Sequence, residues 1–205
     1  MEVRSPPVAD AATAALPCGM PHRPNMLIRR AHPDDAATLR GVLHDTYERV
    51  WLPRVTLEAA QAFRDQDPPA AYVAGRWAKF WVAELDGRVV GFADWEADFV
   101  KALHVCAGHA RVGVGSRLMD KVEAEIASAG FTEARLETDT FNTPAQTFYA
   151  KRGYREADRY PDKAWNSGLT TLLLVKALDE STTHDEKPAG REPGGLSVVG
   201  LDRKP

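Results

Sequence analysis

A chain of 205 residues, 44% hydrophobic and 27% charged, has room for one well-cored domain with extensions. Its net charge of -3 leaves no basic footprint for nucleic acid, and no apolar run approaches the ~20 residues of a membrane helix. Two cysteines, Cys18 and Cys106, are too few for a disulfide framework and point to a reducing, cytoplasmic compartment.

Residues 1–25 are rich in Pro and Ala without periodicity and read as a disordered leader, with Met26 a candidate start. MLIRRA, from Met26, reads as a first strand. Pro33-Asp34-Asp35 opens a helix whose apolar face, Leu39, Val42, Leu43 and Thr46, runs to about Arg49 and is broken at Trp51-Leu52-Pro53. Thr56 caps a second helix to about Arg64; residues 66–69 read as a loop, and 70–75 are ambiguous between states. KFWVAEL (79–85), Asp86-Gly87 and RVVGFADW (88–95) make a hairpin, and a turn at 96–98 leads into a third strand over 99–106. Short connections make these three antiparallel neighbours.

Next come glycines at Gly113 and Gly115, then a helix with Val114, Leu118, Val122, Ile126 and Ala129 on one face, stopped by Gly130. EARLET (133–138) is a strand parallel to the one ending at Cys106, because a helix separates them. Asn142 caps a helix to about Arg152, stopped by Gly153; strands over 154–160 and 169–176 follow, joined by PDKAWNSG. Residues 179–205 read as a disordered tail. The order is β-α-α-β-β-β-α-β-α-β-β, a mixed, mostly antiparallel sheet flanked by helices.

The stretch LHVCAGHARVGVGSRLMD, Leu103 to Asp120, is a strand, a glycine turn and a helix start. Glycines bare the backbone, and a helix N-terminus offers unpaired N–H donors to an anion. No Lys-Ser/Thr pair follows, so it is not a Walker loop. Leu118 stands at the third glycine position of a dinucleotide fingerprint, and antiparallel strands precede it where a βαβ unit belongs. Two glycines alone leave open a ligand-free strand–helix turn.

This stretch resembles the acyl-CoA segment of the GCN5-related N-acetyltransferases, whose Gln/Arg-x-x-Gly-x-Gly/Ala frame falls on Ala110 to Gly115. A second stretch, LETDTFNTPAQTFYAKRGY, resembles the family's strand–Asn–helix segment, with Asn142, Ala145, Phe148-Tyr149 and Gly153-Tyr154 in place. The hairpin FWVAELDGRVVGFADW is a third match, and the likeness covers about residues 26–178. It implies the GNAT fold with a splayed parallel strand pair, acetyl-CoA as co-substrate and no metal. It places the pyrophosphate on the turn amides of Val112, Gly113, Val114, Gly115 and Ser116, and the pantetheine along Leu103, His104 and Val105. Asn142 would also reach coenzyme A. Ala110 departs from the family's Gln/Arg, and the neighbouring Arg111 is placed to supply the missing charge.

Acetyl transfer to an amine needs a deprotonated nucleophile, a polarised carbonyl and a protonated thiolate. The resemblance gives Tyr149 the role of acid; the structural alternative is that Phe148-Tyr149 only packs its helix. Asp94 and Glu96, two apart on one strand face, are the candidate bases, Glu96 first. Solvated turn acids, His104 or a chain of waters are the other readings. Cys106 reads as a packed strand residue.

In the family, acceptor choice lies in loops that here carry Trp51 and Trp165. Asp94, Glu96, Glu137 and Asp139 would make the gap acidic and draw a cationic amine. The expected activity is N-acetyl transfer to the primary amine of a small molecule or peptide by direct attack in a ternary complex. A catalytically idle acyl-CoA-binding domain and a protein lysine acetyltransferase stay open, as does a homodimer.

Overall fold

The structure is a computed structural model and describes residues 25–162 and 167–178. The expected leader before Asn25, the tail from 179 and Trp165 lie outside the described residues.

Seven strands form one sheet: β1 (Met26–Arg30), β2 (Trp81–Leu85), β3 (Arg88–Glu96), β4 (Phe99–Val105), β5 (Glu133–Asp139), β6 (Arg155–Pro161) and β7 (Thr170–Ala177), in the order β1-β2-β3-β4-β5-β7-β6. Every neighbouring pair is antiparallel except β4–β5. The helices are α1 (Ala36–Thr46), α2 (Leu57–Gln66), α3 (Pro68–Arg76), α4 (Val114–Ser128) and α5 (Thr143–Lys151). This is the mixed, helix-flanked sheet that the element order predicts.

Each face of the sheet carries its own core. On one, α4 lays Leu118, Met119, Val122 and Ile126 against Val90, Ala93, Val100 and Leu136, with Tyr149 and Tyr154 beside them. Full burial of such side chains contributes about 1.5–3 kcal/mol each. On the other, Leu39, Val42 and Leu43 of α1, Phe63 of α2 and Tyr72 and Val73 of α3 cover Phe80, Val82, Phe92 and Ala102.

Two elements differ from expectation. Residues 68–76, expected as a loop end and an ambiguous stretch, form α3. Asp67 takes a left-handed backbone (φ 41°), ends α2 and accepts a hydrogen bond from the Ala70 N–H, while Pro68 opens the new helix. The first helix does not run straight to a break at Trp51. It stops at Thr46 and continues as a π turn over Tyr47–Trp51. Such bulges are frequent at functional sites. Here the turn aims a tryptophan back over the sheet.

Candidate active site

β4 and β5 pair only at Phe99–Arg135 and Val100–Leu136. Against β3, Asp94 faces Ala102 while Trp95 faces Val100, so Lys101 is an extra residue on β4. A bulge bends its strand and increases its twist. This one lies just past the last β5-paired residue, and from there β4 leaves β5 and a gap opens between them.

The peptide groups at the gap follow from strand alternation. The Cys106 N–H donates to the Val90 carbonyl at 2.8 Å, which makes the next pair but one, His104–Phe92, a hydrogen-bonded pair too. The peptide groups of Leu103 and Val105 therefore point away from β3, into the gap. His104 does not offer its backbone there as the pantetheine reading assumed; its N–H and C=O are spent on β3.

At the open end the chain turns through Ala107–His109, and Arg111 and Gly113 take positive φ, 65° and 91°. Gly113 is the N-cap of α4 and has no side chain to cap it, so the first-turn donors of a fifteen-residue helix stay available. Gly115 lies against the Phe148 ring, where a Cβ would stand 3.5 Å away in ordinary van der Waals contact. Arg111, Val112 and Gly113 are exposed, Gly115 and Ser116 partly so, and Val114 is buried in the core. Asn142 caps α5, its Oδ1 accepting from the Ala145 N–H at 3.3 Å. Tyr149 packs edge-on between Phe148 and Tyr154, and burial pushes its phenol pKa up, so the hydroxyl keeps its proton.

Across the other face of the gap lies Trp51. Its indole N–H donates to Asp139 Oδ2 on β5 at 2.8 Å, and its ring sits 6.3 Å from the His104 ring on β4. The π turn thus bridges the two splayed strands. Beside Asp139, the Tyr160 hydroxyl of β6 donates to Glu137. Glu137 and Asp139 are both buried.

The acetyltransferase (GNAT) family model matches residues 43–154, which include the bulge, the gap and the glycine turn. The chain belongs to the GNAT family. Blasticidin-S acetyltransferase of Streptomyces morookaense is 40% identical over 96 residues, 46% of this chain and 68% of that protein. A GCN5-related N-acetyltransferase from Rhodopseudomonas palustris superposes with a TM-score of 0.62 at 26% identity, over 74% of this chain and 95% of that one. The PaiA N-acetyltransferase of Thermoplasma acidophilum, solved with coenzyme A, shares the fold with a TM-score of 0.59 at 18% identity, over 75% of this chain and 99% of that one. This GNAT protein is accordingly an acyltransferase.

Within that frame both candidate bases are engaged by neighbouring cations. Asp94 and Glu96 do share a face, and what fills the space before them is Arg76 of α3. Its Nε and Nη2 grip Asp94 Oδ2 and Oδ1 at 2.6 and 3.1 Å, and the Tyr72 hydroxyl donates to Oδ2 at 2.5 Å. Asp94 is fully buried, so taking a substrate proton would mean leaving both partners. Glu96 sits at the closed end of the gap, where β4 and β5 are still paired. The Lys79 ammonium, then Lys101 and Arg76, hold its pKa down to about 2 against the cost of burial, which makes it a weak proton acceptor.

Sequence reasoning could not see these occupants. Arg76 and Tyr72 lie 18 and 22 residues from Asp94, in a helix hidden among residues read as ambiguous. The Trp51–Asp139 and Tyr160–Glu137 contacts span 88 and 23 residues and leave no local signal. Trp165, the other expected acceptor residue, lies outside the described residues.

Proposed function

We propose that this GNAT protein transfers an acetyl group from acetyl-CoA to the primary amine of a small molecule, by direct attack within a ternary complex on one catalytic unit over residues 26–178. The observation that carries the reading is the gap that opens after Val100, with peptide groups on one wall and an uncapped helix N-terminus at its mouth. A pantetheine arm fits the Leu103 and Val105 peptides as an added strand, and a pyrophosphate fits the amides from Val112 to Ser116, with Arg111 beside them. The cap at Asn142 would border the same cofactor.

Tyr149 is the proposed acid. Its neutral phenol would give the departing sulfur its proton as the carbon–sulfur bond breaks. Trp51 supports a small acceptor over a protein chain, because it closes the acceptor face against Asp139. So does the likeness to an enzyme named for blasticidin S. Buried Glu137 and Asp139 favour a cationic one. The cysteine usage fits a cytoplasmic enzyme.

The test has two stages. Acetyl-CoA at a hundredfold excess over its Kd should raise the melting midpoint by roughly 5–10 °C. Free thiol release should then depend on an added amine, screened over blasticidin S, spermidine, tryptamine and a short peptide. Tyr149→Phe should keep the midpoint shift and lose ~10²–10⁴-fold in turnover. No shift with acetyl-CoA ends the reading; an unchanged turnover ends the role given to Tyr149.

A further inference from the structure

With Asp94 and Glu96 engaged elsewhere, the proton lost by the attacking amine has no assigned acceptor. One buried group near the gap is conspicuously idle. His104 is 2% exposed, and neither ring nitrogen has a hydrogen-bond partner among the described residues. Its imidazole stacks on Phe92 (centroids 5.3 Å apart, planes 25° apart) and lies under Trp51. A phenyl ring would satisfy that sandwich better, since burying a polar atom unpaired costs free energy that an apolar group of the same shape does not. Such a group in a native core calls for an explanation. A second one lies on the far side: Thr171 Oγ1, on the residue paired with Asp139, is buried without a partner among the described residues. Trp51 spans the interval, touching His104 at one end and Asp139 at the other.

We propose that His104 is a catalytic residue on the acceptor face of the gap, its imidazole taking the proton that the attacking amine loses. The inference rests on the acetyl-transfer reading given above. The acceptor reaches the ring when the Trp51 indole releases Asp139 and swings aside, which breaks one hydrogen bond and opens the imidazole face beneath it. The amine lone pair attacks the acetyl carbonyl carbon, and the carbon–nitrogen bond forms. The proton on that nitrogen passes to the imidazole. The carbon–sulfur bond then breaks, and the sulfur takes a proton from the Tyr149 hydroxyl. Amide and free thiol leave, and imidazolium and phenolate exchange protons with solvent. One proton leaves nitrogen and one reaches sulfur. In the closed site burial lowers the His104 pKa to about 4, so at neutral pH the ring is unprotonated; relief of that desolvation when Trp51 swings aside is what restores its basicity.

The test separates this role from a structural one. His104→Phe keeps the stack on Phe92 and removes the unpaired polar atoms. The variant should melt about 2–4 °C higher than the parent, show the same midpoint shift with acetyl-CoA, and release thiol ~10²–10⁴-fold more slowly with any amine the parent uses. His104→Gln, which offers a hydrogen bond but no basic nitrogen, should be as slow. A lower melting midpoint for the phenylalanine variant would overturn the proposal, because the imidazole would then be serving the fold. Thiol release at the parent rate in either variant would overturn it too. If the parent uses no amine in the panel, acetyl transfer has failed and with it the proton role. Loss of the acetyl-CoA shift in both variants, with the parent's intact, would instead assign His104 to cofactor binding and sink the proposal alone.

Discussion

At its first two residues β4 is paired on both sides; from Leu103 to Val105 it is paired on one. The side chains around the two ends follow the same division. At the closed end every carboxylate is answered by a cation: Arg135 reaches Asp98 at 2.7 Å, Arg76 grips Asp94, and Lys79, Lys101 and Arg76 surround Glu96. At the open end several polar groups have no partner among the described residues: the ring nitrogens of His104, the hydroxyls of Thr138 and Thr171, and the first-turn amides behind Gly113. Unpaired polar groups weaken a fold and become useful only when a ligand pairs them. The closed end is therefore where substitutions should cost stability, and the open end is where they should cost turnover. The bulge at Lys101 is the boundary between the two.

The largest expected effect tests the closed end. Arg76→Ala leaves the Asp94 carboxylate fully buried with only the Tyr72 hydroxyl, and removing one partner of a buried pair costs about 3–5 kcal/mol. Urea unfolding should show that loss, and the variant that remains folded should still respond to acetyl-CoA. A cost under about 1 kcal/mol would mean that water reaches Asp94, and would return it to candidacy as a base.

Next in size is Gly91→Ala, which probes the seam between β3 and the free part of β4. A Cβ on Gly91 would sit 2.7 Å from the His104 carbonyl oxygen and 3.2 Å from Val105 Cα. Neither is a flexible side-chain end, so the backbone must move, at about 1–3 kcal/mol. Because the shift pushes the wall of the gap, acetyl-CoA affinity should fall along with the urea midpoint. Full stability with full affinity would mean that β4 gives way freely there, against the division drawn above.

What the amino-acid order makes legible follows the same line. Local signals carry most of the fold. Asp86-Gly87 joins β2 to β3, Gly130 and Gly153 take the positive φ that stops α4 and α5, and Asn142 and Thr56 cap as their residue types demand. The glycine turn and the parallel strand pair were readable because each is written in contiguous residues. The occupants of the acidic face were not. The spacing of Asp94 and Glu96 shows that they share a face, yet nothing local says that Arg76 fills it, since α3 begins from a left-handed Asp67 that a helix pattern does not announce. The position of Trp51 likewise depends on a π turn. Residues 47–51 look like a fraying helix end until the hydrogen bond to Asp139, on a strand far along the chain, fixes them. His104 shows the converse. Its candidacy was legible as a residue type, whereas the lack of any partner emerges only once Phe92 and Trp51 have closed around it.

The smallest effect concerns Glu96, the exposed member of the closed end. Its pKa is held at about 2 against a usual 4.5, chiefly by the Lys79 ammonium, with Lys101 and Arg76 adding to it. A carboxylate whose folded pKa is depressed adds stability that is fully present above its unfolded pKa and is lost as pH falls through the folded one. The window here is from about 4.5 down to about 2. The side chain is 47% exposed, so solvent screens the pairs and the contribution is about 0.5–1 kcal/mol, well below what the pKa shift alone implies. Glu96→Gln should therefore lower the urea midpoint slightly at pH 7, and the gap between variant and parent should narrow as pH falls from 4.5 toward 2.5. Thiol release by the variant should keep the parent's pH profile. An altered acidic limb would put Glu96 back on the proton's path and move the working end of β4 to the side of the bulge assigned here to stability.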